Sequence, residues 1–238
     1  MEHVLETPDV FSPGRIGPLT LRNRIIKAAT YEGLAHRGRV TTDLVEFHRE
    51  YAAGGVGMTT VAYCAVAPEG RTAPDQIQWT DEAMPGLRTL TAAVHREGSA
   101  ISAQIGHAGP VADPRGNKRP ALSPSTRFPN MSGGVSRKAK VHDLERIALA
   151  HATAATRAIE AGFDAVEVHL GHSYLASAFL SPKINHRRDE YGGSLANRAR
   201  FARSIMRAVR DAVGDRIAIL AKLNRAEIKG HKVKIKAA

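Results

Sequence analysis

Hydrophobic positions along the chain follow two alternating periods, which predict strands followed by helices. Short apolar runs, often β-branched, predict five strands at residues 24–30, 56–63, 100–106, 164–170 and 217–224. Between these runs, apolar residues recur every three or four positions and predict helices over residues 43–55, 83–98, 142–162 and 198–214. In the first of these helices, Leu44, Phe47 and Tyr51 are expected to form the apolar face. Strands that alternate with helices indicate parallel pairing, in either an open doubly wound sheet or a (β/α) barrel.

The two faces of the predicted strands differ in polarity. In the fourth predicted strand, Val166, Val168 and Leu170 point to one side, whereas Glu167 and His169 point to the other. An open sheet covered by helices on both sides would be apolar on both faces, so this alternation favours a barrel with a partly polar inner face. Catalytic groups of such barrels lie at the C-terminal ends of the strands. The polar residues expected at those ends are Tyr31, Tyr63, Gln104, His107 and His169.

Segments outside the regular alternation add detail to this picture. Residues 10–24 contain a Gly17-Pro18 turn between two apolar runs and predict a short β-hairpin, which would close the bottom of a barrel. Two long loops, at residues 106–134 and 181–198, interrupt the alternation. Long loops in a compact domain are usually functional or disordered.

Charge and cysteine content exclude several classes of protein for this chain. The net charge is +11, but the last fourteen residues carry five basic side chains against one acidic one, and the other charges are scattered. Such a diffuse pattern argues against specific nucleic-acid binding. The single Cys64 excludes an internal disulfide framework, and the N-terminus lacks the apolar run of a signal peptide. No apolar run is long enough to cross a membrane, so we expect a cytoplasmic protein.

His169, His172 and Tyr174 are the strongest candidates for chemistry, because they lie within six residues of one another at the end of a predicted buried strand. Three interpretations remain open. The histidines could be structural. They could bind zinc, although no HExxH helix and no second cysteine supply further ligands, so we assign no metal site. They could instead donate two hydrogen bonds to one oxygen, with the Tyr174 hydroxyl supplying a proton.

A family resemblance bears on this choice. Residues 162–201 resemble the signature region of the old yellow enzyme family of FMN-dependent oxidoreductases. The family pattern there is H-x-x-H or H-x-x-N, then Tyr, then F-L-S-P, N-x-R-x-D-x-Y-G-G-S and N-R-x-R-F, which this chain keeps. Segments over residues 11–25, 54–71 and 104–125 resemble the preceding parts of the family in the same order, so the likeness spans about residues 9–224.

The resemblance implies a TIM barrel that holds FMN at its C-terminal mouth. NAD(P)H would reduce the flavin, which would pass hydride to the activated C=C bond of an α,β-unsaturated carbonyl or dienoyl thioester substrate. His169 and His172 would then bind the carbonyl oxygen, and Tyr174 would protonate the α-carbon. Residues that match flavin contacts of the family are Ala28, Ala29, Thr30, Tyr31, Tyr63, Gln104 and Lys222.

The chain departs from the family at three places. Tyr31 stands where the family has a small hydroxyl or thiol residue, and Lys222 stands where it has an arginine. The family pattern stops after residue 224, so we expect residues 1–224 to form the N-terminal part of the barrel, with five of eight strands, and residues 225–238 to form an unrelated basic tail. The alternative function is therefore a catalytically inactive, truncated barrel fragment that is unable to hold FMN. The expected partner is a small-molecule substrate, and the sequence is compatible with a homo-oligomer.

Overall fold

Strands and helices alternate along most of the chain in the computed structural model, which describes residues 9–126 and 134–224. The strands are β1 Gly14–Ile16, β2 Leu19–Leu21, β3 Ile26–Lys27, β4 Met58–Ala65, β5 Ala100–Gly106, β6 Leu122–Ser123, β7 Arg137–Lys138, β8 Ala165–Leu170 and β9 Ala218–Leu223. The α-helices are α1 Thr42–Ala53, α2 Met84–Arg96, α3 Pro114–Asn117, α4 Val141–Glu160, α5 Leu175–Leu180, α6 Leu195–Arg198 and α7 Arg200–Val213. Short 3-10 turns lie at Pro68–Gly70 and Gly109–Val111.

The central sheet has five parallel strands in the order β3-β4-β5-β8-β9. In a flat sheet the two edge strands would lie about 19 Å apart, which is more than a lysine side chain can span. Lys222 of β9 nevertheless donates a hydrogen bond from Nζ to the carbonyl oxygen of Ala29, just after β3, at 3.0 Å. The sheet is therefore curled into about half of a barrel, which confirms the prediction of an incomplete TIM barrel.

The first two strands of this sheet differ most from the sequence prediction. β3 has two residues in place of the predicted seven, and β4 begins at Met58, two residues later than predicted. The backbone N–H groups of Gly57 and Met58 both donate to the carbonyl oxygen of Ile25. The chain leaves the sheet after Lys27, because only Ile26 and Lys27 pair with β4. The other three predicted strands agree with the structure to within one residue at each end.

Helices α2, α4 and α7 cover the outer face of the sheet with the apolar stripes that the sequence predicts. The predicted apolar face of α1, made of Leu44, Phe47 and Tyr51, is wrong beyond Leu44. The buried face is instead Leu44, His48 and Ala52. The aromatic rings of Phe47 and Tyr51 lie 5.0 and 5.8 Å from the Lys27 ammonium group. These two side chains therefore contact a cation and do not form the buried face of the helix.

The predicted hairpin is confirmed. β1 and β2 pair antiparallel, and Gly17 between them adopts a φ of +55°, which glycine tolerates without strain. Leu21 of this hairpin packs against Met58, Ala165 and Ala218 at the N-terminal ends of the barrel strands. The hairpin therefore closes the bottom of the half-barrel, and the opposite end remains for a site.

The predicted boundary after residue 224 falls at the end of the described chain, and the basic tail 225–238 lies outside the described residues. Residues 127–133 of the first long loop also lie outside them, whereas the rest of that loop contains α3 and β6. Within residues 9–126 and 134–224, no helix combines the length and apolar character that crossing a bilayer requires.

Candidate active site

The candidate site residues lie at the C-terminal ends of the barrel strands, where the sequence places them. Tyr63, Gln104, His169 and Lys222 project from β4, β5, β8 and β9 on the inner face, and Tyr174 follows β8. The register of the sheet explains the convergence, because His169 pairs with Lys222 and Gln104 pairs with Glu167 on neighbouring strands. Side chains paired in this way point to the same side of a sheet.

A β-bulge in β4 sets the position of Tyr63. Val61 pairs with Ala103 and Cys64 pairs with Ile105, so two residues of β4 stand opposite the single residue Gln104. A bulge re-aims the side chains around it. The Tyr63 ring lies 6.3 Å from the His169 ring, and its hydroxyl donates a hydrogen bond to the carbonyl oxygen of Gly70. Burial raises the pKa of Tyr63 well above its ordinary value, with the Tyr174 hydroxyl adding to the shift.

His169 is held in its neutral form. Burial lowers its pKa to about 3, and the nearby His172 and Lys222 act in the same direction. Its Nδ1 atom accepts a hydrogen bond from the backbone N–H of Gly171 at 3.2 Å. A neutral imidazole carries one proton, so that proton lies on Nε2. His169 therefore presents an uncharged N–H donor.

The turn after β8 brings His172 and Tyr174 to His169. His172 and Ser173 both have a φ of +57°, a left-handed conformation that non-glycine residues rarely adopt and that is common at functional sites. The His172 ring lies 4.9 Å from the His169 ring and nearly perpendicular to it. His172 is exposed at the mouth, whereas His169 is buried beneath it. The two imidazoles thus flank one opening.

Tyr174 lies against the same opening, with its ring centre 4.3 Å from that of His169 and 5.2 Å from that of Tyr63. Burial raises the pKa of Tyr174 to about 12, although a hydrogen bond with the Thr72 side chain opposes the shift. The phenol of Tyr31 is close enough to Tyr174 to raise the pKa of Tyr174 further. The hydroxyl of Tyr174 therefore keeps its proton near neutral pH.

The residues after β3 form another wall of the site. The carbonyl oxygen of Ala29 accepts the Lys222 hydrogen bond, and the Ala29 side chain packs with Ala62 and Tyr63. Ala28 and Thr30 are exposed, and Tyr31 is 57% exposed. The structure thus brings this segment to the site, with the Tyr31 side chain at the mouth.

His107, which the sequence places at the end of β5, does not join the cluster. Its Nδ1 atom accepts a hydrogen bond from the backbone N–H of Gly109 at 3.0 Å, and its Nε2 atom lies 3.8 Å from Glu69. The ring packs so closely on Gly70 that an added Cβ there would lie 2.9 Å from it. His107 therefore supports the loop that receives the Tyr63 hydroxyl.

Two residues of the site have no assigned role in the sequence analysis. Glu167 accepts a hydrogen bond from Nε2 of Gln104 at 2.6 Å, and its place on the inner face was the available signal. The Thr72 side chain hydrogen-bonds with Tyr63 and Tyr174. It lies in a loop without any periodic pattern, so no sequence signal points to it. Among the residues that the structure describes, no group of three or more histidine, cysteine, aspartate or glutamate side chains is arranged to hold a metal ion.

Comparison with known proteins gives a family match over most of the chain. A family described as the NADH:flavin oxidoreductase / NADH oxidase family matches residues 9–235. The chain is 52% identical over 221 residues to a 4,4'-dithiodibutanoate disulfide reductase from Rhodococcus erythropolis, covering 93% of this chain and 55% of that protein. It is 39% identical over 214 residues to a metal reductase from Desulforamulus reducens, covering 90% and 32%. The chain thus spans about half or less of the length of these relatives.

Solved structures agree on the fold. An old yellow enzyme homologue from Zymomonas mobilis aligns with a TM-score of 0.84 at 27% identity, over 91% of this chain and 63% of that one. Old Yellow Enzyme from Pichia sp. AKU4542 aligns with a TM-score of 0.83 at 29% identity, over 90% and 59%. A 2-naphthoyl-CoA reductase in complex with 2-naphthoyl-CoA aligns with a TM-score of 0.84 at 28% identity, over 89% and 34%.

Proposed function

Because the chain belongs to the NADH:flavin oxidoreductase / NADH oxidase family, we propose that it reduces the activated C=C bond of α,β-unsaturated carbonyl or dienoyl thioester compounds, with FMN as cofactor and NAD(P)H as reductant. The observation that carries this proposal is the pairing of a neutral donor with a protonated acid. His169 has a lowered pKa and Tyr174 has a raised one, and their rings lie 4.3 Å apart. FMN, when bound, supplies the hydride that it has accepted from NAD(P)H.

The residues at the mouth fit the ring system of FMN. Nε2 of Gln104 is directed to Glu167, which leaves the amide oxygen of Gln104 to accept from a ring N–H group. Lys222 provides a cation on the same inner face, where electron-rich ring oxygens would be stabilised. Ala29 and Ala62 form a small apolar wall against which a flat ring can pack. We therefore assign Gln104, Lys222, Tyr63 and residues 28–31 to the flavin.

The remaining polar groups suit the substrate. A carbonyl oxygen between His169 and His172 would accept from both rings, and these donors would stabilise the negative charge that grows on it as hydride reaches the β-carbon. Tyr174 would then give its hydroxyl proton to the α-carbon. The sum is one hydride and one proton added across the double bond. Because His169 is uncharged, it stabilises this oxygen without competing as a proton donor.

A disulfide is the second candidate substrate, because the relative that is 52% identical over 93% of this chain is a disulfide reductase. Hydride addition to one sulfur would break the S–S bond and release one thiol and one thiolate. The histidine donors would bind the thiolate, and Tyr174 would protonate it, giving two thiols. The same residues would thus serve either acceptor, and the substrate decides which bond is reduced.

The test separates cofactor binding from substrate choice. The full chain is purified, incubated with FMN, desalted and analysed for retained flavin. Reduction by NADPH and NADH is then followed anaerobically at the flavin absorbance maximum, and the reduced protein is mixed with 2-cyclohexenone or 4,4'-dithiodibutanoate. Rapid reoxidation by the enone supports the first proposal, and reoxidation by the disulfide alone supports the second. Retention of no flavin would support the inactive-fragment alternative.

We also propose a cytoplasmic location, in keeping with the single free thiol, since Cys64 is buried and unpaired with another cysteine. Its burial raises the pKa of the thiol, so Cys64 is not a reactive nucleophile in this fold. If the proposed reduction of a disulfide occurs, its electrons therefore do not pass through this cysteine.

A further inference from the structure

We propose that Glu32 is a positioning residue of this site, because its carboxylate stabilises the bulge in β4 that aims Tyr63 into the cleft. The structural part of this inference stands on the backbone geometry. Its consequence for turnover rests on the proposed function. Glu32 lies in the loop after β3, beside Ala62 of β4.

The early end of β3 leaves one backbone donor of the bulge, the N–H group of Ala62, without a strand partner. β3 pairs with β4 only through Ile26 with Met58 and Lys27 with Thr59, so no carbonyl of β3 reaches Ala62. The N–H group of Ala62 instead donates to both carboxylate oxygens of Glu32, at 3.1 and 3.2 Å. A buried N–H group needs an acceptor. The Glu32 side chain therefore takes the place of a neighbouring strand at the bulged residue.

The Glu32 carboxylate is itself fixed in place. Its side chain is 3% exposed, and the Lys27 ammonium group lies 3.1 Å from Oε1. Nε2 of His48 lies 3.2 Å from the same oxygen, and Nζ of Lys27 also donates to the carbonyl oxygen of Thr60 at 3.3 Å. A buried charge that has both a counter-ion and hydrogen-bond donors holds a defined geometry. These contacts place the acceptor at one point beside Ala62.

The bulge matters because it decides which way Tyr63 points. Side chains alternate along a regular strand, so straightening the bulge with every residue kept would shift Tyr63 and every later side chain of β4 to the opposite face. Tyr63 would then leave the cleft, where its ring packs 5.2 Å from that of Tyr174 and its hydroxyl donates to Gly70. Tyr174 would lose one of the rings that bury it. Glu32 thus acts on the proposed acid through Ala62 and Tyr63.

The direct test is amide exchange at Ala62, measured by NMR on the full chain. Glu32→Leu should accelerate exchange of this amide about 100-fold, since no acceptor remains, while the amide of Ala103 on β5 keeps its protection. Glu32→Gln retains an acceptor oxygen and should stay within about tenfold of the wild type. Glu32→Asp keeps the negative charge near Lys27, but its shorter side chain no longer reaches the N–H group of Ala62. Exchange of the Ala62 amide should therefore accelerate as it does in the leucine variant. The aspartate variant thus tests the inference even if the leucine variant fails to fold. Glu46→Gln, on the exposed side of α1, is the matched control.

The functional arm uses FMN-loaded protein. Glu32→Asp should lower the rate of reoxidation by the electron acceptor about tenfold, because Tyr63 is misplaced beside Tyr174, and Glu32→Gln should keep the wild-type rate. Unchanged Ala62 exchange in the aspartate variant would overturn the inference, whatever the activity. If the wild-type protein reduces neither acceptor but Ala62 exchanges faster in the aspartate variant, the result supports the positioning role of Glu32. It then counts only against the proposed function.

Discussion

Acidification from pH 8 to pH 5 should destabilise the protein through buried histidines whose pKa values are lowered, among them His48, His151 and His169. Burial lowers the pKa of His169 to about 3 and that of His151 to about 4, from 6.5. A lowered folded-state pKa means that the stabilisation is complete above the unfolded pKa and is lost as the pH falls toward the folded pKa. At pH 5 the unfolded chain binds about one more proton at each site than the folded chain. Integration gives a loss of about 2 kcal/mol per histidine between pH 8 and pH 5.

The pH window isolates these histidines from the carboxyl groups. The pKa values of Glu69 and Asp143 are lowered, and these residues therefore lose their stabilising effect mainly below about pH 4.5. Urea unfolding of the wild type, His169→Asn and His151→Gln would be followed by far-UV circular dichroism at both pH values. Each variant should remove about 2 kcal/mol of the pH dependence, whatever its absolute stability at pH 8. His186→Gln, at an exposed position, is the control and should leave the pH dependence intact.

A variant His169→Asn that retains the full pH dependence of the wild type would refute the reasoning. It would mean that the folded protein protonates His169 near the ordinary pKa, so that the imidazole is a cation in mildly acidic solution. The assignment of its proton to Nε2 alone would then fail, and with it the interpretation of His169 as an uncharged donor. The same experiment therefore tests the site without any cofactor.

Three further predictions concern the groups around the mouth. Tyr174→Phe should slow reoxidation by an enone about 10²–10⁴-fold while reduction by NAD(P)H keeps its rate, because only reoxidation uses the proton of Tyr174. Equal slowing of both half-reactions in stopped-flow measurements would contradict the assigned role. His169→Ala should weaken phenol binding about 10–100-fold through loss of a charge-assisted hydrogen bond, as measured by flavin absorbance titration, and His186→Ala should not. Lys222→Met removes the hydrogen bond to Ala29 and should lower the free energy of unfolding by about 1.5 kcal/mol; an unchanged urea midpoint would argue that this bond does not hold the curled sheet.

Strand order and the outer core could be predicted because they depend on periodicity. Val166 and Val168 of β8 face the helices, and Glu167 and His169 face inward, as the alternation indicates. Helix α1 shows where periodicity is ambiguous. Two stripes share Leu44, and the sequence favours the one with the larger aromatic side chains. The other stripe is buried, because His48 reaches Glu32 on the neighbouring loop, and such a tertiary contact leaves no trace in the spacing of apolar residues.

Apart from Glu167 on the regular strand β8, the features of the site that the sequence analysis missed lie where the backbone departs from regular structure. The bulge at Ala62 and Tyr63 breaks the two-residue period, so alternation alone would place these two neighbours on opposite faces. β3 stops after Lys27 although the apolar run continues, since Glu32 replaces the next strand contact. Local rules fail here because long-range contacts dictate the geometry, as is expected at functional sites.

The donor and the acid of the proposed reaction are tuned by one physical cause. The His169 and Tyr174 rings lie 4.3 Å apart, and each excludes water from the other. Exclusion of water disfavours the charged form of either group, so it lowers the pKa of the imidazole and raises that of the phenol. Both residues therefore stay neutral over the same pH range, the one as an N–H donor and the other as an O–H acid. A substitution that opens this contact to water should therefore shift both pKa values toward their ordinary values together. Any feature that keeps the contact closed acts on the donor and the acid at once, and the bulge that places Tyr63 beside Tyr174 is one such feature.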